Sequence, residues 1–233
     1  RFTITAPSSI DREYCVQYRE SDWDFVARLF EDEGIWSYFD HSGEAETLIA
    51  SEKPTGFPAI AGTATVPFVE PGVGVSEAEQ VYRWRFAQKF VTAKAWVRDY
   101  NFKKPETPVD GKSTSSGAEE NYDYPGGFVD EAVASRYATV RLNELRDHLK
   151  SFQGESDVPR FRSGHRFTLE GHHQAALDGE YLLVEVEHEG SQEQAAQEES
   201  VLSGPSPDQE TSYRNSFVCV PAATPYRPPR RTR

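Results

Sequence analysis

The chain has 233 residues, more than one small core usually needs, so one large or two small domains are expected. Hydrophobic residues make up 37% and aromatics 12%, which excludes disorder throughout, because four Trp, eleven Tyr and fourteen Phe need cover. A net charge of −13 argues against a general nucleic-acid binder and against adhesion to anionic membranes, both of which call for basic surface.

No apolar run approaches bilayer length and no signal-peptide pattern opens the chain, so no membrane-spanning segment is expected. The first residue is Arg1 and Met is absent, which points to a piece of a longer product. Cys15 and Cys219 pair only if the fold brings them together; two buried free thiols are the favoured reading.

In chain order, Tyr14-Cys15-Val16-Gln17-Tyr18 reads as a strand from its aromatic and β-branched content. Ser21 then caps a helix, with Asp24 three positions on as in a capping box. Phe25, Val26, Leu29 and Phe30 recur at helical spacing and form one apolar face, and Gly34 suits the left-handed residue that closes the helix. Strands follow over 35–39 and 47–50, giving a strand–helix–hairpin unit.

The stretch 52–74 carries four prolines and reads as a connector or edge region. Strands are predicted over 81–91 and 94–102, the first with Tyr82, Trp84 and Phe86 on one face and Arg83 and Arg85 on the other. The turn-rich 103–127 reads as a long loop. A second helix is predicted from Asp130 to about Ser151, with Val133, Tyr137, Val140, Leu145 and Leu149 inward. Strands over 161–169, 181–188 and 213–221 complete the pattern. Between the last two, "SQEQAAQEESVLSGPSPDQE" holds five acids and no base and reads as a solvated loop. The tail "PAATPYRPPRRTR" has four arginines and favours an extended form. The fold class is α+β and strand-rich, with two main helices.

His165, His172, His173 and His188, with Glu170, Asp178, Glu185 and Glu187, form the one cluster with metal-ligand chemistry. Its spacing matches no zinc pattern, and adjacent histidines on a strand point opposite ways, so no metal site is assigned. "EPGVGV" lacks a third glycine and a following helix and is read as a turn. Glu119 and Glu120 fall in the loop, without the apolar setting that separates two carboxyl pKa values. Aromatics near Arg83, Arg85 and Arg98 suit nucleic-acid stacking in type, but inward aromatics and solvated arginines need no ligand. No catalytic, cofactor-binding or metal-ligating residue is assigned.

Glu31-Asp32-Glu33 stands out, since each exposed acid at a helix C-terminus costs about 0.3–1 kcal/mol. Arg28, one turn before Asp32, offsets part of that. Two readings stay open: a solvated face, or contacts with basic groups across a subunit or domain boundary.

"EYCVQYRESDWDFVARLFEDEGIWSYF" resembles the hub region of the VgrG-type spike family of bacterial type VI secretion and its Rhs-type kin. Gln17, Tyr18, Glu20, Asp22, Phe25, Arg28, Leu29, Glu31, Glu33, Gly34, Ile35, Tyr38 and Phe39 fit that pattern. "VRDYNFKKP", "ENYDYPGGFVDEAVASRYATVRLNEL", "GHRFTLEGHHQAALDGEYLLVEVEHEG" and "FVCVPAATPYRPPR" resemble later stations of the family in order.

The resemblance implies a phage tail hub-like fold with a barrel-type β lobe and an α/β lobe, split as 1–60, 61–127 and 128–233. It implies a non-catalytic homotrimer on a tube of Hcp hexamers, with a needle, a PAAR tip protein and effectors or adaptors bound through parts beyond this chain. It further implies synthesis in the bacterial cytoplasm and export by the type VI system, with no cofactor. The family also carries a first barrel before this region and an oligonucleotide-fold domain and needle after it. A contractile phage tail hub is the neighbouring reading, and a His-dependent metal hydrolase the distant one.

Overall fold

Apolar residues at alternate positions need a sheet with one dry side, and residues 81–88, 150–156 and 213–221 supply such strands. The computed structural model describes residues 1–5, 12, 14–70, 78–191 and 213–232. Two units emerge, each discontinuous in sequence, whereas the sequential reading divided the chain at 60 and 127. One comprises Arg1–Gly56, Gln88–Leu149 and Thr224–Arg233; the other comprises Phe57–Ala87 and Lys150–Ala223.

The second unit is a six-stranded sheet built from β4 (Thr65–Pro67), β5 (Val81–Gln88), β9 (Lys150–Ser156), β10 (Arg166–Glu170), β11 (Gly179–Gly190) and β12 (Tyr213–Pro221). The order is β4-β10-β11-β12-β9-β5, antiparallel except where β4 joins β10. The end strands meet through a bridge between Phe68 and Val81, where the Val69 N–H donates to the Val81 carbonyl at 2.9 Å. That single bridge curls the sheet into a barrel-type lobe, with β5 meeting the opposite end only at Val81.

The inward residues of this barrel include Val66, Val81, Phe152, Phe161, Phe167, Leu169, Tyr181, Leu183, Phe217 and Cys219, all buried. Trp84 lies 5.0 Å from both the Phe152 and Tyr181 rings. Each such side chain removed from water is worth roughly 1.5–3 kcal/mol, so apolar burial dominates this unit. Asn215, buried among them, is satisfied: it accepts from the Ser156 hydroxyl at 2.7 Å and donates to the Val158 carbonyl at 2.9 Å.

The first unit holds two smaller sheets, each with a helix. β1 (Phe2–Thr5), β2 (Trp36–Asp40) and β3 (Thr47–Ser51) pair in the order β1-β3-β2, the first pair parallel. β6 (Lys94–Asp99), β7 (Val109–Thr114) and β8 (Glu120–Asp123) pair as β7-β6-β8, again with one parallel pair. Helix α2 (Glu131–Arg146) starts at Asp130, whose carboxylate accepts from the Ala132 N–H at 2.7 Å, and it buries Ala134, Ala138, Val140 and Leu142. Ala134 and Ala138 share a core with Val97 of β6 and Val109 of β7. A Cβ on Gly111 of β7 would sit 2.2 Å from the Ala134 carbonyl, so only glycine allows that approach.

Several expectations need correction. Residues 14–18 form no strand, although their composition favours one. The region 103–127 is not one loop, since β7 and β8 lie within it; Glu120 opens β8, and the Glu119 carbonyl accepts from the Ala93 and Lys94 N–H groups. Helix α2 ends at Arg146, before Leu149 and Ser151, because β9 claims the chain from Lys150. The strand expected over 161–169 begins only at Arg166, and Phe161 reaches the core from a turn. The connector 52–74 contains β4 and the buried Phe57 and Ile60, and β1 was not foreseen. Cys15 and Cys219 are both free, but only Cys219 is buried. The acidic loop falls mostly in 192–212 and the "EPGVGV" turn in 71–77, both outside the described residues.

Candidate functional site

Helix α1 (Asp22–Glu33) begins and ends as its sequence directs, and its far end assembles the site. Ser21 accepts from the Asp24 N–H at 3.1 Å while its hydroxyl donates to the Asp24 carboxylate at 2.7 Å. At the other end Gly34 has φ +69°, its N–H donates to the Glu31 carbonyl, and the Ile35 N–H donates to the Phe30 carbonyl. This is a Schellman motif. A Cβ on Gly34 would lie 2.6 Å from Val140 Cγ1 and 3.1 Å from Arg227 Cδ, so glycine is required twice over.

No basic residue occupies the last turn of α1, and the three acids find their partners elsewhere in the same unit. Glu33 pairs with Arg12 and with Arg136, each at 2.8 Å, and accepts from the Tyr137 hydroxyl at 2.7 Å. Burial alone would raise its carboxyl, but hydrogen bonds from Arg12 and Tyr137 and the charge of Arg136 bring it below the ordinary value. Asp32 lies 3.6 Å from Arg12, and burial raises its carboxyl against the pull of Arg12 and Arg230. Glu31 accepts from the Arg231 and Thr232 N–H groups and the Thr232 hydroxyl, each at 2.9 Å. Asp32 and Glu33 therefore have basic side chains as partners, and Glu31 is held by backbone amides and a hydroxyl. These partners belong to the same unit rather than across a boundary, and the face is not simply solvated. Arg28 pairs with Glu20 at 2.7 Å rather than with Asp32.

The tail completes this arrangement. The buried Arg227 donates to the Gly34 carbonyl at 2.6 Å and to that of Glu52, and burial lowers its guanidinium pKa. Arg230 pairs with Asp123 at 2.6 Å, and its N–H donates to Glu144 at 3.1 Å. Asp32, Asp123, Tyr137, Arg141, Glu144 and Arg230 line a cavity of about 250 Å³. Its charges are matched across it: Arg141 pairs with Glu144 and stands 3.8 Å from Asp123. A general acid or base needs a carboxyl free to trade its proton, and the carboxylates here are held by guanidinium and amide donors.

The histidines do not converge. His172 and His173 share a turn with ring centroids 4.2 Å apart, so they do not point opposite ways as a strand would require. The His172 N–H donates to Asp178 at 2.9 Å, its ring lies 4.5 Å from Phe68, and His173 faces Glu70 at 3.2 Å. Burial lowers the His172 pKa. His165 lies near the Ser163 carbonyl, and His188 near the Tyr213 hydroxyl. Among the described residues, no three His, Cys, Asp or Glu side chains stand close enough to hold a metal. Arg83 of β5 pairs with Glu155 at 2.6 Å.

Sequence reasoning missed Arg12, Arg136, Asp99 and Arg227. Asp99 accepts from the N–H groups of Tyr100, Gly127 and Phe128 at 2.6, 2.5 and 3.2 Å and so fixes the turn after Pro125. The one local signal was Tyr-Pro-Gly-Gly, whose amides need an acceptor.

The chain thus combines a barrel-type unit and an α/β unit, and the charges at the end of α1 are spent on mutual pairing. The chain belongs to the phage tail baseplate hub (GPD) family, whose profile matches residues 1–194. It is 36% identical over 227 residues to the type VI secretion spike protein VgrG4b of Pseudomonas aeruginosa, covering 94% of this chain and 28% of that protein. It is 34% identical to VgrG5 of the same organism, covering 98% and 30%. The actin cross-linking toxin VgrG1 of Vibrio cholerae is 29% identical over 91% of this chain and 19% of its own length. The chain thus spans less than a third of each of these relatives.

Among solved structures, the E. coli c3393 protein, a type VI secretion component similar to T4 phage tail proteins gp27 and gp5, superposes with a TM-score of 0.60 at 17% identity. The match covers 98% of this chain and 46% of that one. A tail protein of Neisseria meningitidis gives 0.58 at 10% identity, covering 96% and 61%. The α+β, strand-rich hub fold is therefore established, and the family role is structural. No helix among the described residues is long and apolar enough to cross a membrane.

Proposed function

We propose that this chain is the hub segment of a type VI secretion spike, joining an Hcp tube to the needle and leaving the cell with them as effectors are delivered by puncture. Three copies form the hub of the full-length protein, and the PAAR tip, effectors and adaptors attach through other parts of it. The role is mechanical and no residue turns over a substrate. The observation that carries this reading is the 36% identity to a type VI spike protein over 94% of the chain. The charge cluster at the end of α1 agrees with a structural role, since its acids are held by partners within the chain: Glu33 by two arginines and a tyrosine, and Glu31 by the tail.

The test uses the full-length protein. Light scattering is expected to give a trimer, and immobilised trimer is expected to retain Hcp hexamers. A monomer that retains no Hcp overturns the proposal. A contractile phage tail hub is the second reading, favoured by the family profile itself; retention of a phage tube protein with no retention of Hcp would select it.

A further inference from the structure

The connection between β10 and β11, residues 171–178, is organised around one imidazole. His172 is 8% exposed, and its ring lies 4.5 Å from that of Phe68. The Gln174 N–H donates to His172 Nδ1 at 3.0 Å. A backbone N–H can only donate, so Nδ1 presents its lone pair and the ring's own hydrogen sits on Nε2. The His172 N–H in turn donates to the Asp178 carboxylate at 2.9 Å, tying the start of the connection to its end. Between them Ala175–Leu177 forms a 3₁₀ turn, and Leu177 packs against the barrel core while its carbonyl accepts from the Tyr181 hydroxyl at 2.6 Å.

This arrangement has no room for a second ring proton. Acid adds to the free lone pair of a neutral imidazole, and here that lone pair already serves Gln174. Protonation would turn the acceptor into a donor and set two N–H groups head to head, losing a hydrogen bond in a buried place. Among the described residues, the titratable groups facing the ring are His173, Asp178 and Glu70. The His173 ring is stacked 4.2 Å away, with its Nδ1 3.2 Å from Glu70, so a charge there opposes one on His172. Burial first, and His173 second, hold the His172 pKa below its ordinary value against the pull of Asp178 and Glu70.

What the ring braces is the seam of the lobe. The Phe68 N–H donates to the Glu170 carbonyl at 2.8 Å, and Phe68 forms the bridge to Val81 that brings the two end strands together. Its neighbour Val69 supplies the 2.9 Å bond to the Val81 carbonyl. β4 has only three residues with which to hold its place on β10, so the packing of Phe68 against His172 carries much of the seam's position.

We infer that His172 is an acid-operated latch: with its ring neutral the 171–178 connection braces Phe68 and keeps the β4–β5 seam shut, and with its ring charged the connection opens and the seam parts. The sign follows from linkage. Folded His172 takes up a proton less readily than the unfolded chain does. Its stabilisation is therefore whole above about pH 6.5 and is lost as pH falls from there toward the lowered folded value. The opening is local, because the β11–β12 and β12–β9 ladders are held by their own backbone pairing. The latch does not depend on the trimer reading.

The test follows amide hydrogen exchange in the unsubstituted full-length protein from about pH 7.5 to about pH 5, with rates corrected for their intrinsic pH dependence. Protection of the Phe68, Val69 and Gln174 amides should fall tenfold or more, while the amides of β11 and β12 keep theirs. The midpoint of that fall should coincide with the titration of His172 itself, read from the slow exchange of its ring C2 proton. His172→Asn, whose amide oxygen can replace Nδ1 as acceptor and does not titrate, should abolish the fall. Flat protection in the unsubstituted protein, an equal fall in β11 and β12, or an equal fall in His172→Asn overturns the inference. Should His172→Asn not fold, the midpoints decide: coincidence upholds the latch, and a separation of more than about one pH unit overturns it.

Discussion

The two units reach stability by different routes. The barrel unit is held by apolar burial, with Phe161, Phe167 and Leu169 fully shielded and one satisfied asparagine among them. The α/β unit has a smaller apolar core around Val97, Val109 and Phe128, and α1 buries no residue outright. What fixes α1 is its caps and the arginines gathered on its acidic end. Dispersion and dehydration are non-directional, so a barrel core tolerates reshaping, whereas a charge network needs each partner in place. One unit is bulk and the other is addressed.

Substitutions of decreasing effect sharpen this contrast. Phe167→Ala should cost about 3–5 kcal/mol, the usual loss for a buried aromatic. Hydrogen exchange should show the loss in barrel amides, with α2 protected as before; equal loss in both units would mean that they unfold as one. Gly34→Ala forces a side chain into a left-handed residue and onto Val140, and should cost about 2–3 kcal/mol, read by urea unfolding of the α/β unit. A cost below 1 kcal/mol would mean that Val140 and Arg227 yield easily.

Glu33→Gln keeps the shape but weakens charge-assisted bonds to Arg12 and Arg136, and should cost about 1–2 kcal/mol at neutral pH. Its pH dependence is signed. The folded Glu33 carboxyl lies below its ordinary value, so as acid is added the unfolded chain takes up this proton first. Its stabilisation is complete above about pH 4.3 and is lost as pH falls through the lowered value. Asp32 has the opposite sign, since its raised carboxyl favours the folded state at low pH and loses that advantage as pH rises. Melting from pH 6 to pH 3 should therefore show a flatter acid decline in Glu33→Gln than in the parent. The smallest effect belongs to Arg83→Ala on the barrel exterior, which breaks an exposed pair with Glu155 and should change stability by less than about 1 kcal/mol.

Much of α1 was legible because its determinants are local: Ser21 with Asp24, the apolar spacing from Phe25 to Phe30, and Gly34. The partners of its acids were not, because Arg12, Arg136 and Arg231 lie 21, 103 and 200 residues from the acids they meet. β7 and β8 escaped notice because Gly111, Ser113 and Asn121 read as turn formers, while the structure wants glycine at 111 so that α2 can approach. Residues 14–18 failed in the other direction: strand content was present, but Arg12 and Gln17 tie the segment to a helix. The order of strands in the barrel was not legible, because periodicity is silent on which strands meet.

The tail has a consequence for traction. After β12 ends at Pro221, residues 224–232 return to the α/β unit, where Arg227 is sunk beneath the α1 cap and Arg230 grips Asp123. A pull on the C-terminal end is met first where Glu31 holds Arg231 and Thr232, and then by the Arg230 and Arg227 anchors in turn. Tension reaches β12 only after these have torn loose.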